Sequence, residues 1–243
     1  MVKYMNISFT RTDLASDINN NNLKHMYFDD NNNIEVLKIK NKDYRIIKFN
    51  NLNDKLIITL KNELNNFVNK VKNNKSVLII GLGNDSFTAD SVGPKTLKGI
   101  NVNAHLIDLG IYTKNIKVSA LEPGVLGQTG IDTKRIIKSV VNEIKPDYLI
   151  IIDSFVSKDI NAIQRTIQIT SEGITPGSGI MGINSKIDEK TLGLPIIVIG
   201  VPTALETIIN KQKLILSTNN VDKYVAEISK IISTAINNCL YLS

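Results

Sequence analysis

The sequence predicts an α/β fold, a mostly parallel sheet flanked by helices, with an N-terminal hairpin and arm. Three observations carry that expectation. From Val77 onward short apolar runs alternate with helical periodicity, the mark of successive βαβ units. Aromatic residues make up only 5% of the chain and Trp is absent, so the core has to be built from Ile, Leu and Val, which suits buried strands. With 243 residues, 42% of them hydrophobic, the chain can bury one substantial core and carry a smaller appendage.

The elements follow in order. Residues 1–33 are polar and Asn-rich, and "INNNNLKHMYFDDNNN" reads as loop or arm rather than core. Ile34 to Ile39 and Tyr44 to Phe49, around the polar turn Lys40 to Asp43, predict a hairpin. Leu56, Leu60, Leu64 and Phe67 recur at helical spacing, which predicts an amphipathic helix over about residues 52–72. Strands are expected at Val77–Ile80, Ala104–Leu109, Asp147–Ile152, Thr166–Thr170 and Pro195–Val201. Helices are expected at Ser91–Lys98, Thr133–Ile144, Thr203–Lys211 and Val221–Cys239. Between residues 170 and 195, "TSEGITPGSGIMGINSKIDEKTLGLP" has neither period and reads as a long loop, a common place for function.

Charge and composition narrow the function classes. The formal net charge is +6, but the lysines are scattered and not interleaved with aromatics, so direct nucleic-acid binding is not expected. One cysteine, Cys239, precludes an intrachain disulfide and a Cys-based zinc site, and points to a reducing, cytoplasmic compartment. No run suits a signal peptide or a membrane span, so no membrane partner is expected.

The stretch "SVLIIGLGNDSFTADSVGPK" asks whether its glycines cradle a phosphate or position a carboxylate. A dinucleotide fingerprint needs a third glycine where Ser86 stands after Gly81 and Gly83, and no Gly-Lys-Ser/Thr follows for a P-loop. The loop instead delivers Asp90 to the start of a helix, either as a simple N-cap or as a functional acid whose charge the helix N-terminus would favour. A second acid, Asp153 in "DYLIIIDSF", is expected at the C-terminal end of a buried strand, where open parallel sheets form their ligand crevice. Two carboxyls in such a crevice do not both ionise cheaply, so one keeps a proton as acid while the other acts as base on water. That is peptidase chemistry without cofactor or metal. His25 and His105 have no ligand or triad spacing, Ser178 lacks a nucleophile elbow, and Cys239 reads as a small core residue. The glycines of the long loop suggest close backbone approach, so Gly177, Ser178 and Gly179 are the candidate substrate contacts.

The motifs "IIGLGNDSFTADSVGPK", "SALEPGVLGQTGID", "KPDYLIIIDSF", "TIQITSEGITPGSG" and "TLGLPIIVIGVPT", with "RTDLA" near the N-terminus, stand in an order and spacing that resemble the spore germination proteases. The resemblance implies an atypical aspartic endopeptidase that degrades small acid-soluble spore proteins in the spore core, on a fold similar to hydrogenase maturation proteases. It also implies that the catalytic aspartates are Asp90 and Asp153, that no cofactor is used, and that the chain forms a homo-oligomer, a tetramer. Family members resemble zymogens that remove a short N-terminal segment themselves, and their substrates are cut after Glu in a Glu-(Phe/Ile)-Ala-Ser-Glu type of motif. Asp13-Leu14-Ala15-Ser16-Asp17 follows that pattern with Asp for Glu. Cleavage is therefore expected between Asp13 and Leu14, making residues 1–13 a propeptide and residues 14–243 a single peptidase domain; the plainer reading is that Asp13 or Ser16 caps a turn. Two departures stand out: the segment between "VPTALE" and the final helix is short, and Glu122 precedes Pro123-Gly124 where a small uncharged residue is usual. Two other readings stay open, a metal-dependent maturation-type peptidase with Asp90 and Asp153 as oxygen ligands, and a noncatalytic partner of spore DNA or its coat proteins.

Overall fold

A computed structural model describes residues 8–11, 13–15, 23–29, 34–39, 43–71, 75–112, 116–176, 186–209 and 212–241. In chain order the strands and helices are β1 (Ser8–Arg11), β2 (Leu23–Asp29), β3 (Ile34–Ile39), β4 (Tyr44–Phe49), α1 (Asp54–Val68), β5 (Ser76–Gly81), α2 (Val92–Leu97), α3 (Ala104–Asp108), β6 (Lys117–Leu121), α4 (Leu126–Thr129), α5 (Thr133–Ile144), β7 (Tyr148–Ser157), β8 (Thr166–Thr170), α6 (Glu189–Leu192), β9 (Ile196–Ile209), β10 (Gln212–Ser217) and α7 (Val221–Tyr241). All the strands join one sheet in the order β2-β3-β4-β8-β9-β7-β5-β6, and β1 and β10 both add to β9. The centre, β9-β7-β5-β6, is parallel. The wing from β2 to β8 is antiparallel and joins the centre through the β8–β9 pair.

Strand alternation sorts the core into two faces. On β7, Ile150 and Ile152 point to one side, where Leu56, Leu60, Leu64 and Phe67 of α1 and Ile228, Ile232 and Ile236 of α7 complete a large buried cluster. Leu149, Ile151 and Phe155 point to the other side, against Ile137 and Val141 of α5 and against Leu14 from the N-terminal segment. Local signals start the helices: the Asn53 side chain accepts from Leu56 N at the head of α1, and Asp132 accepts from Arg135 N at the head of α5. Cys239 lies in the α7 core as expected, its thiol donating to Asn65 Oδ1 at 2.9 Å and burial pushing it up to about 11. No helix among the described residues is long and apolar enough to cross a membrane.

The predicted hairpin, the α1 helix and most of the strands and helices from β5 to α7 stand where the sequence puts them. Three expectations are corrected. The N-terminal 33 residues contain two strands rather than loop alone, because β3 and β9 offer open backbone edges that β1 and β2 satisfy, whatever the Asn content around them. The run Ala104–Leu109 is the helix α3, with His105 exposed on it, and the strand lies at Lys117–Leu121, where only Val118 needs full burial because β6 is an edge. Residues 203–209 continue β9 instead of forming a helix. Their spacing suits either period, but β1 on one side and β10 on the other hold the backbone extended, and Thr203, Thr207, Ile208 and Ile209 are β-branched. The long loop also contains α6 and an Ile174–Ile187 bridge.

Candidate active site

The loop after β5 answers the question its glycines raise. Gly83 has φ +117, and a Cβ there would stand 1.9 Å from the Asp90 carbonyl oxygen, so only glycine lets the loop fold back onto Asp90. A Cβ on Gly93 would meet the Leu82 oxygen at 2.2 Å and the Ile152 oxygen at 2.7 Å, so this second glycine seats α2 directly against the ends of β5 and β7. The glycines serve close packing of backbone around a carboxylate.

Asp90 closes a 3-10 turn, Thr88–Asp90, and its N–H donates to Phe87 O at 2.8 Å. It does not cap the helix: the residue before α2 is Ser91, and no side chain caps that end. The Asn84 N–H donates to the Asp90 carbonyl at 3.0 Å and also serves its carboxyl. Burial outweighs that donor and pushes the Asp90 carboxyl up to about 6, opposite to the effect expected from a helix N-terminus. The turn is fastened to the sheet from both sides, since the Thr203 hydroxyl donates to Ala89 O and Val92 N donates to the Ser154 hydroxyl at 3.3 Å. The Asn84 side chain is held in turn by Gln128 of α4, whose Nε2 donates to Asn84 Oδ1 at 2.6 Å.

Asp153 follows from the register. β5 ends at Gly81, opposite Ile152, so Asp153 is the first β7 residue beyond the end of its neighbour. Alternation puts its side chain on the face of Ile151 and Phe155, half-buried, with Oδ1 accepting from Ser154 N at 2.8 Å. The adjacency of β5 and β7 thus brings the segments carrying both acids to one carboxyl edge of the parallel centre.

The N-terminal segment lies across that face. Asp13 N donates to Val156 O at 2.9 Å, and Val156 N donates to Asp13 Oδ2 at 3.1 Å, three residues beyond Asp153. Leu14 has no solvent exposure and joins the apolar cluster under α5. The Ala15 N–H donates to Gln168 Oε1 at 2.7 Å. Gln168 pairs with Gly200, and Gly200 pairs with Asp153, so these three form one row across β8, β9 and β7. At the usual strand spacing the ends of that row are about 10 Å apart. The Phe155 ring fills the place a Gly200 side chain would take, within 1.9 Å of an added Cβ.

Gln168, Gly200 and Asn84 are site residues that sequence reasoning passed over; the available signal was a polar residue in the otherwise β-branched run "TIQIT". Gly177, Ser178 and Gly179 lie outside the described residues. Gly173, at the near end of their loop, has φ +83 and packs so closely on Ile187 O that a Cβ would come within 2.3 Å of it. Among the described residues, no three His, Cys, Asp or Glu side chains are grouped so as to hold a metal ion.

The germination protease profile matches residues 15–212, which takes in every part of the site except Asp13 and Leu14. The chain belongs to the germination protease family. Germination proteases similar to it include that of Clostridium tetani, 43% identical over 56% of this chain and 43% of the relative. That of Bacillus licheniformis is 39% identical over 65% of this chain and 44% of the relative, and that of Priestia megaterium 40% identical over 60% and 41%. The chain therefore spans less than half the length of the curated relatives it matches. Among solved structures it is similar to the nickel–iron hydrogenase maturation protease HycI of Thermococcus kodakarensis, with TM-score 0.44 and 16% identity, covering 72% of this chain and 99% of that one.

Proposed function

We propose that this chain is an endopeptidase of spore germination that cuts small acid-soluble spore proteins in the spore interior, is made as a self-processing zymogen, and activates water with Asp90 and Asp153. Family membership supports the peptidase reading. The single observation that carries the rest is the placement of Asp13-Leu14-Ala15 on the sheet face that bears Asp153, tied at Val156 and at Gln168.

The chemistry divides between the acids by environment. Asp90, raised to about 6 by burial, holds a proton under mildly acidic conditions and is the general acid. Asp153 is the base: it takes a proton from water as the oxygen attacks the Asp13 carbonyl carbon, and Asp90 then gives its proton to the Leu14 nitrogen as the peptide bond breaks. The same two steps apply to a protein substrate.

Incubation of the purified chain near pH 5.5, with and without chelator, tests this by mass spectrometry. The expected product begins at Leu14, forms with chelator present, and is absent in Asp153→Asn and Asp90→Asn. A new terminus elsewhere refutes the processing site, loss of product with chelator replaces the dyad by a metal, and binding of a small spore protein without cleavage refutes the enzyme.

A further inference from the structure

Gln168 is the odd residue of its strand. Ile167 and Ile169 on either side face the α1 and α7 cluster, so Gln168, 3% exposed, puts its carboxamide on the face that carries Asp153. A buried amide left unpaired keeps the full cost of its lost hydration. Here its Oε1 accepts a main-chain N–H, that of Ala15, and so reads a peptide backbone rather than a side chain. The middle of the row is Gly200, and the Phe155 ring lies in the space of its absent side chain, between Gln168 and Asp153. Leu14 is fully buried and Ala15 is 7% exposed.

We propose that Gln168 is the backbone clamp for protein substrates, its Oε1 accepting the N–H of the second residue after the cut bond. The slot around it is the one that Leu14 and Ala15 fill in the uncut chain. This rests on the proposed function, because it takes Leu14 and Ala15 to occupy the substrate's place. Cutting the Asp13–Leu14 bond clears the slot. The new α-amino group, with an ordinary pKa near 8, would be charged at a position with no solvent exposure, and the cost of burying that charge favours release of the new end. Gln168 is then left with an unmade hydrogen bond, which a peptide of the same pattern restores.

The test separates the clamp from catalysis. The full chain carrying Leu14→Asp, which expels its own segment, and Asp153→Asn, which prevents cutting, is titrated with a short fluorescent peptide containing Asp-Leu-Ala-Ser-Asp. It is titrated in parallel with the same peptide in which the Leu–Ala amide is an ester. The ester lacks the N–H and should bind about tenfold more weakly. With Gln168→Leu added, amide and ester should bind alike, at the ester's level, and Gln168→Glu should restore the preference for the amide. Equal binding of the two peptides to the chain with Gln168 intact, or binding of neither, overturns the clamp. Because the change lies in the peptide, misfolding of a Gln168 variant cannot imitate the expected result. The catalytic reading fails on a different observation, the absence of a Leu14 terminus in the wild-type incubation.

Discussion

The two faces of the sheet are closed by different means. On one, α1, α2 and α7 lie over an apolar layer that runs from Ile34 of β3 to Val118 of β6. On the other, α5 covers part of the surface and the N-terminal residues Leu14 and Ala15 cover more of it, beside Asp153 and Gln168. A segment that leaves its seat after processing makes a poor foundation for a fold. The contrast teaches that the larger apolar core lies on the face away from the Asp153 side chain, which leaves the other face free to be closed in part by a piece that can move away.

The largest effect expected from breaking this contrast is catalytic. Asp153→Asn should lower self-processing by at least about 10³-fold, since general-base assistance and the ionised partner are lost together. Its circular dichroism should match that of wild type, because Asp153 is half-buried at the end of a strand rather than part of either apolar layer. Processing at the wild-type rate would remove Asp153 from the mechanism.

Stability should divide by face. Leu60→Ala, at a fully buried α1 position, should cost about 3–4 kcal/mol whether or not residues 1–13 are attached. Leu14→Ala should cost about 2–3 kcal/mol in the uncut chain and almost nothing after processing, when that residue has left the slot. Urea denaturation of the cut and uncut forms reads both. Equal losses for Leu14→Ala in the two forms would mean that the segment stays in place, and the contrast between the faces would fail.

The helix-covered face also contains a charge pair, which sharpens the comparison. Arg45 of β4 and Glu63 of α1 meet at 3.2 Å with both side chains almost fully buried, and the guanidinium lies 5.6 Å from the Phe67 ring centre. Glu63→Gln leaves the buried guanidinium without its counter-charge and should cost about 2 kcal/mol. It should leave self-processing unchanged, because the pair lies between β4 and α1, away from the loop after β5 that carries Asp90 and from the end of β7 that carries Asp153. A slowed cleavage rate at unchanged stability would show that the two faces are coupled.

Which parts of this were legible in the sequence follows from how local each signal is. The α1 helix and the β3–β4 hairpin are written in periodicity and turn residues a few positions apart. The β5–β7 centre is written in near-continuous apolar runs, which placed Asp90 and Asp153 on adjacent segments. The extension of β9 is not legible locally because its spacing suits either period and its conformation is imposed by pairing, with β10 just after it and with β1 about 195 residues away. Gln168 was missed for the same reason. Its meaning depends on the register of three strands and on the glycine between it and Asp153.

The smallest predicted effect concerns Asp90 and runs with pH. Its carboxyl titrates at about 6 in the folded chain against an ordinary 3.8, because burial disfavours the charged form. Below pH 3.8 both folded and unfolded chains are protonated there, and the group is neutral in every sense. Between about 4 and 6 the unfolded carboxyl has ionised while the folded one still holds its proton, so stability falls as pH rises through that window. Above 6 both are ionised and the penalty is constant, roughly 2 kcal/mol once partial solvent exposure is allowed for. Asp90→Asn removes the titration, so the variant should match wild type in stability near pH 3.5 and exceed it by that amount at pH 7. The proton lost in this window is the one the proposed acid delivers, so wild-type self-processing should decline with the same midpoint, near pH 6. Stability and cleavage are then two readings of one carboxyl. A cleavage rate that stays flat from pH 5 to 8, in a chain whose stability follows the expected curve, would leave Asp90 buried and titrating but remove it from the chemistry.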